Sequence, residues 1–439
     1  MLERLKTKFF SDKSRSNFIK DSAMAMSLKL LGIASSYIFI LLITKNFGAE
    51  GWGKYSLTMS FIIFWMLLGK IGFDLALLKY TSSNEAKNDR HLTKQIYVKG
   101  ISFCLGLCIF LTLILMIFSK DIAVLLFQKE YMSDFIFYSS FLIICQIGYI
   151  IHSEGLRGLK KYNAYQFIQF IGAQLFGSIL LFLYPYFTEK NDLLPLKILV
   201  ISSFIVFLIS TYLWLKEILF IKSKNLFSFP LKQIIRVSFP MFISNAMFVT
   251  LNWIDTLLLG IYQVDEAEIG VYNISLKVAA IINLPLLAVS GIVASSISEQ
   301  HTLGNTQQLQ KIIKDSSLLI FSATLAIYIA FLIYPTFFLG FFGQNFTKGT
   351  EVLLIVSSGF LVSSFSGCTD IILQMTNNEK LFQNIIIGAT LLNVLLNLIL
   401  IPYWGIKGSA IASMCSICFW NILSVYYIKK RLGVNSLII

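Results

Sequence analysis

The chain reads as an all-α polytopic membrane protein: twelve transmembrane helices in two six-helix bundles, related by a pseudo-twofold axis along the membrane normal, around a central cavity. Three observations predict this. Twelve apolar segments long enough to cross a bilayer run from about Ala23 to Ile428. Lys and Arg crowd every second connection between them. Short stretches recur at one offset, 217 residues, in corresponding places of the two halves.

The apolar segments come first. Of 439 residues, 56% are apolar and 13% charged, with a mean hydropathy of +0.75. A soluble domain carries about 25% charged residues. Crossing a bilayer of roughly 30 Å takes about 20 apolar residues in a helix. The spans are expected near 23–44, 54–78, 98–118, 134–153, 164–186, 197–215, 237–260, 270–294, 316–342, 352–375, 382–402 and 407–428. Helices are preferred over a β-barrel because the segments are continuously apolar, whereas barrel strands alternate polar and apolar residues over about 10 positions.

Loop charges then set the topology. Outside the spans or within two residues of their ends, 25 of 33 Lys and Arg residues fall on the side that holds both termini. The positive-inside rule makes that side the cytoplasm, and the expected home is a bacterial inner membrane. The net charge of +13 has the same origin. Basic loops beside an anionic leaflet account for it without nucleic acid. The basic stretch before the first span is too long for a cleaved signal peptide, and no small-residue cleavage site follows the span. Leu2, Leu5 and Phe9 are expected to line a short interfacial helix.

The sequence also excludes several chemistries. The six cysteines (Cys104, Cys108, Cys145, Cys368, Cys415, Cys418) all fall within spans and show no metal-ligand spacing with a histidine. No Walker A or H-E-x-x-H pattern occurs, and the longest connections are too short for a soluble catalytic domain. No cofactor, metal or catalytic residue is implied. A membrane-embedded glycosyl or acyl transferase would need clustered His, Asp or Arg at one face. The only histidines are His91, His152 and His301, on different segments.

The repeat organises what remains. Gly53-Lys54-Tyr55-Ser56 follows span 1 and Gly270-Val271-Tyr272-Asn273 follows span 7. Tyr165-Gln166 opens span 5 and Phe382-Gln383 opens span 11. Six spans per half make both halves enter from the same side, so the axis runs along the membrane normal and a transport path is expected between them. The expected domains are residues 1–215, a basic cytoplasmic linker 216–236, and residues 237–439.

Three stretches carry a family resemblance. One is Phe239-Pro240, Ile254-Asp255-Thr256 and Gly270-Val271-Tyr272-Asn273 with Lys277. Another is Gly155-Leu156-Arg157-Gly158-Leu159-Lys160-Lys161-Tyr162. The third runs from Asn393 and Asn397 through Ile401-Pro402 and Gly405 to Gly408-Ser409-Ala410-Ile411-Ala412. Together they resemble the polysaccharide flippases of the multidrug/oligosaccharidyl-lipid/polysaccharide exporter superfamily. That resemblance implies a V-shaped central cavity and alternating access. It also implies a polyprenyl diphosphate substrate carrying an O-antigen or capsule repeat unit. The expected partners are that lipid, the surrounding membrane lipids, a proton or sodium ion as coupling ion, and other polysaccharide assembly proteins.

Such a substrate needs cations for its phosphates and hydrogen-bonding groups for its sugar. A charged side chain within a span costs roughly 2.5–3.5 kcal/mol or more, so each one is a functional candidate. The candidate cavity cations are Lys29, Lys70, Lys277 and Arg157. Asp255, Asp74 and Asp370 are candidates for ion coupling or charge pairing, and Asn245, Asn252 and Asn273 for sugar contact. Plainer roles stand beside these. Lys70 and Asp74, four apart, can neutralise each other. Asp255 and Lys277 lie at similar depth and can pair across adjacent helices. Asp370 and Glu154 can snorkel or cap helix ends. The Asn pairs Asn245/Asn252 and Asn393/Asn397 can join helices, and Arg157, Lys160 and Lys161 can serve topology alone. Pro240, Pro285 and Pro335 fall inside expected spans, where proline permits a kink. A cation-coupled drug exporter of the same superfamily would share this architecture but favour an acidic cavity; the embedded lysines argue against it.

Overall fold

The computed structural model describes residues 13–87, 89–186, 189–218, 221 and 229–437, which are almost wholly helical and contain no strand. Ten helices among them are long and apolar enough to cross a membrane. Two of these are double-length. Helix α1 (Lys13–Lys70) is broken at Gly48 (φ 71°, ψ −165°). The last helix, Glu379–Leu432, is broken at Gly405 (φ 52°, ψ −130°). Both breaks sit at expected loops between spans. Left-handed φ values are the reason glycine stands there.

Between them lie α2 (Phe73–Ala86), α3 (Arg90–Ile117), α4 (Met132–Gly158), α5 (Tyr162–Tyr186, with a π-turn over Phe167–Ile171) and α6 (Leu194–Ile218). There follow α7 (Leu231–Ile261), α8 (Glu266–Ala280), α9 (Leu284–Thr302), α10 (Thr306–Ile333), α11 (Thr350–Ser366), α12 (Thr369–Met375) and, last, α13 (Glu379–Leu432). Short polar residues start several of them. Asp89 accepts from the Leu92 amide at 3.1 Å, Asp265 from the Ala267 amide at 2.8 Å, and Asn305 from the Gln308 amide at 3.1 Å. Each satisfies an amide that the first helical turn leaves without an internal partner.

Four expected spans are interrupted, span 9 among them at Tyr334 (φ −127°, ψ 46°). Span 2 ends at Lys70, turns through Ile71 (φ 40°) and Gly72 (φ 71°), and resumes as α2. Span 8 divides at a 3₁₀ turn, Ile281–Asn283, and span 10 at Gly367 (φ 74°). The prolines are placed differently from expectation. Pro240 does lie inside α7, but Pro285 opens α9 and Pro335 opens the turn Pro335–Gly340. In the first turn proline's missing N–H removes no helical bond. The expected interfacial helix at Leu2, Leu5 and Phe9 lies outside the described residues, as do 219–220 and 222–228 of the linker.

The chain divides into two compact units. The first comprises Met1–Ile43 and Phe61–Asn245; the second comprises Thr44–Ser60 and Ala246–Ile439. Within the second unit, α1 and α8 touch backbone to backbone. A Cβ added to Gly53 would lie 1.7 Å from the Glu266 carbonyl oxygen, and one added to Gly270 would lie 2.1 Å from that of Ala49. Residues 49 and 266, and 53 and 270, are both 217 apart. The contact is therefore self-complementary in the way a twofold contact is: each member of the repeat meets the partner's equivalent. Only glycine permits so close a crossing.

Candidate functional site

The second unit holds a buried carboxylate network. Asp255 on α7 is 4% exposed. Its Oδ2 accepts from the Tyr272 hydroxyl of α8 at 2.8 Å and from the Ser413 hydroxyl of α13, and its Oδ1 accepts from Asn397 Nδ2 at 2.7 Å. Ser409 donates to Asn397 Oδ1 at 2.8 Å and lies 3.2 Å from the Tyr272 oxygen. Asn397 Nδ2 also reaches Asn393 Oδ1 at 3.3 Å, while Asn393 Nδ2 is buried without a partner.

The Gly405 break assembles this network. In a continuous helix residues 397 and 409 would stand about 18 Å apart. Their side chains meet, so α13 doubles back and its two arms pack side by side. A Cβ on Gly408 would sit 2.4 Å from the Leu400 carbonyl oxygen, which measures how close the arms are.

The chemistry of the set is specific. Asp255 contacts hydrogen-bond donors and, among the described residues, no cation. Burying a carboxylate without a positive charge is costly, so such a group takes up a proton or a cation. The other groups are hydroxyl and amide oxygens, hard ligands that suit a hard cation. In this arrangement Asn397 turns its amide nitrogen toward Asp255.

The expected pairing of Asp255 with Lys277 is not present. The Lys277 ammonium lies instead 5.9 Å from the Trp253 ring centroid, the outer limit of a cation–π contact. Nor do the candidate asparagines of α7 join Asp255. Asn252 is exposed and donates to the Phe248 carbonyl of its own helix at 2.7 Å. Asn245 is half-buried. Asn252 therefore stands on the exposed side of α7 while Asp255, three residues on, is buried. Asn273 of α8 is buried, donating to the Ile269 carbonyl at 3.0 Å and accepting from Thr256 at 3.3 Å.

The first unit gathers the other candidate charges except Asp370, which belongs to the second. Lys70 and Asp74 form an ion pair of 2.6 Å across the Gly72 break, with Asp74 in the first turn of α2. Glu154 pairs with Arg157 at 3.3 Å, and the Arg157 guanidinium lies 5.1 Å from the Tyr165 ring centroid. Lys161 pairs with Glu217. Of Arg157, Lys160 and Lys161, two thus already face carboxylates. Lys29 is exposed on α1 and bonds no carboxylate among the described residues. Asp370 lies in the first turn of α12, where an acidic side chain is favoured by the helix dipole.

The Lys70–Asp74 pair, with Asp74 buried and Lys70 half-buried, supports a prediction. Lys70→Ala leaves Asp74 buried and uncompensated, a loss of about 3–5 kcal/mol. The double variant Lys70→Met/Asp74→Leu should lose less. Thermal melts of the purified proteins in one detergent check this, and equal melting points for the two variants would refute it.

The family described as "Polysaccharide biosynthesis protein" matches residues 18–290, and the MatE family matches residues 240–399. The probable low-salt glycan biosynthesis flippase Agl15 of Haloferax volcanii is 25% identical over 185 residues, 42% of this chain and 39% of that one. The probable flippase AglR of the same organism is 24% identical over 196 residues, 43% of this chain and 40% of that one. The match thus spans about two fifths of each of these relatives. An uncharacterized membrane protein of Methanocaldococcus jannaschii is 22% identical over 406 residues, 87% of this chain and 78% of that one. Two solved structures share the fold. The lipid II flippase MurJ in an inward closed conformation superposes with a TM-score of 0.76 at 16% identity, covering 94% of this chain and 87% of that one. An inward-facing multidrug resistance MATE family transporter of the MOP superfamily gives 0.72 at 15% identity, covering 91% and 94%. With more than half of its length matched, the chain belongs to the polysaccharide biosynthesis protein family of membrane proteins.

Proposed function

We propose that the protein is a flippase for polyprenyl-diphosphate-linked oligosaccharides, such as an O-antigen or capsule repeat unit, working by alternating access. One observation carries the coupling part of this reading: a membrane-embedded carboxylate, Asp255, held by hydroxyl and amide groups and by no cation. A proton or sodium ion taken up there and released on the other side drives the cycle. Neutralising Asp255 loosens its grip on Tyr272, Asn397 and Ser413, and so on the packing of α7, α8 and α13. Family membership and the two archaeal flippase relatives support the glycan-lipid substrate.

In this reading Lys29, Lys277 and Arg157 supply positive charge for the diphosphate, while the sugar meets polar groups and the tail stays in lipid. Both termini are cytoplasmic, residues 1–215 and 237–439 form the two bundles, and 216–236 joins them. The bacterial inner membrane is the proposed location. The experiment is combined Lys29→Ala/Lys277→Ala with expression checked. Polymer export is expected to fall at least tenfold; full export would remove these two lysines from the path.

A second reading has its own support. The MatE match over residues 240–399 fits a cation-coupled drug exporter. Drug resistance conferred on a sensitive strain, with lipid-linked saccharides unchanged by deletion, would favour it over the flippase.

A further inference from the structure

One cavity in the second unit has no part in that reading. It measures about 460 Å³, within the roughly 300–1,000 Å³ typical of small-molecule sites, and Asp265, Glu268, Asn345, Lys348, Trp404 and Lys407 line it. Three connections meet here: the turn into α8, the 3₁₀ turn Gln344–Gly349, and the Gly405 reversal of α13. The loop charges assign all three to the outer side.

The cavity is built rather than incidental. Asp265 Oδ1 caps α8, which fixes the carboxylate's orientation. Lys407 is held by Glu351 at 2.5 Å. Gly405, with φ +52°, brings the chain within 4.0 Å of Glu268 Oε2, measured from where a Cβ would stand, and Trp404 and Glu268 both line the cavity. Trp404 is 57% exposed and borders the cavity; its neighbour Tyr403 is 80% exposed and does not. Tyr403 is the residue placed to anchor the membrane interface.

The lining selects a ligand class. Two carboxylates and two ammonium groups leave it without net charge, and a phosphate would meet Asp265 and Glu268. A ring carrying several hydroxyls suits it better. Each hydroxyl both donates and accepts, matching carboxylate, amide and ammonium together. The apolar C–H face of a pyranose ring is flat and complements an indole. We propose that this cavity is an outer-side saccharide subsite that stacks one neutral pyranose on Trp404 and hydrogen-bonds it through Glu268, Asn345 and Lys348. Its place in the cycle, holding a sugar as it emerges, rests on the flippase reading.

The test does not. Saturation-transfer NMR on the protein in lipid nanodiscs, with N-acetylglucosamine and galactose as separate probes, should show transfer to the ring protons. Transfer should fall at least fivefold in Trp404→Ala and in Glu268→Gln, and stay unchanged in Tyr403→Ala. No transfer from either sugar, or equal transfer with Trp404→Ala, would overturn the proposal. Transfer to glycerophosphoethanolamine in preference to both sugars would overturn it in favour of a lipid headgroup. Melting curves confirm that each variant is folded. The flippase reading is scored apart, by lipid-linked saccharides in cells, so the failure of either is visible without the other.

Discussion

Asp255→Asn is expected to leave the protein folded and to reduce transport at least tenfold. Asn has nearly the same shape, and its Oδ1 still accepts from Tyr272 or Ser413. Its Nδ2 faces the Asn397 amide and forces that side chain to turn. One imperfect hydrogen bond costs about 1–3 kcal/mol, visible as a lower melting point. The functional loss has another cause. A neutral amide neither binds a proton near neutral pH nor attracts a cation, so the cycle loses the charge that couples it. Asp255→Ala should fold worse, because three donors then lack an acceptor. Export by a deletion strain complemented with each variant, normalised to protein level, checks both. Undiminished export with Asp255→Asn would show that this network is structural.

Gly270→Ala should be the more damaging change to stability, against the usual direction. Within a helix, Gly→Ala ordinarily gains about 1 kcal/mol. Here the new methyl would lie 2.1 Å from the Ala49 carbonyl oxygen, and backbone cannot rotate away as a side chain can. Overpacking of this kind costs about 1–3 kcal/mol, and Gly53→Ala, at 1.7 Å from the Glu266 carbonyl, should cost at least as much. Gly106 in α3 is the control, because a Cβ there meets nothing within 4 Å. Melting points should fall for Gly53→Ala and Gly270→Ala and hold or rise for Gly106→Ala. Three equal values would contradict the close crossing.

These two predictions also show where the sequence was informative. Helical spans were legible because a bilayer demands long apolar runs, and the break positions Gly48 and Gly405 fall where the loops were expected. The 217-residue repeat was legible as matched glycines; that the matched glycines touch was not, since an offset carries no distance. Asp255 was recognisable as an expensive charge within a span. Its partners were harder to see. Tyr272 and Ser409 lay inside stretches that carried the family resemblance, and Asn393 and Asn397 stood out as a polar pair on span 11. The hydroxyls of Ser409 and Ser413 carry no site signal by themselves, because hydroxyls are common in apolar helices, where they bond to their own backbone. Only the reversal at Gly405 brings them to Asp255. For Lys277 the reason is the opposite: depth matches that of Asp255, but depth leaves the direction around the helix open.

The central claim is transport of a glycan-bearing lipid, and its most direct measurement is the state of that lipid when the gene is deleted. Lipid-linked saccharides extracted from deletion and parent strains should differ in one way. The deletion strain should accumulate complete repeat units on the polyprenyl diphosphate carrier, on the cytoplasmic face, while exported polymer disappears. Carrier without accumulated repeat units, or unchanged export, would contradict the account.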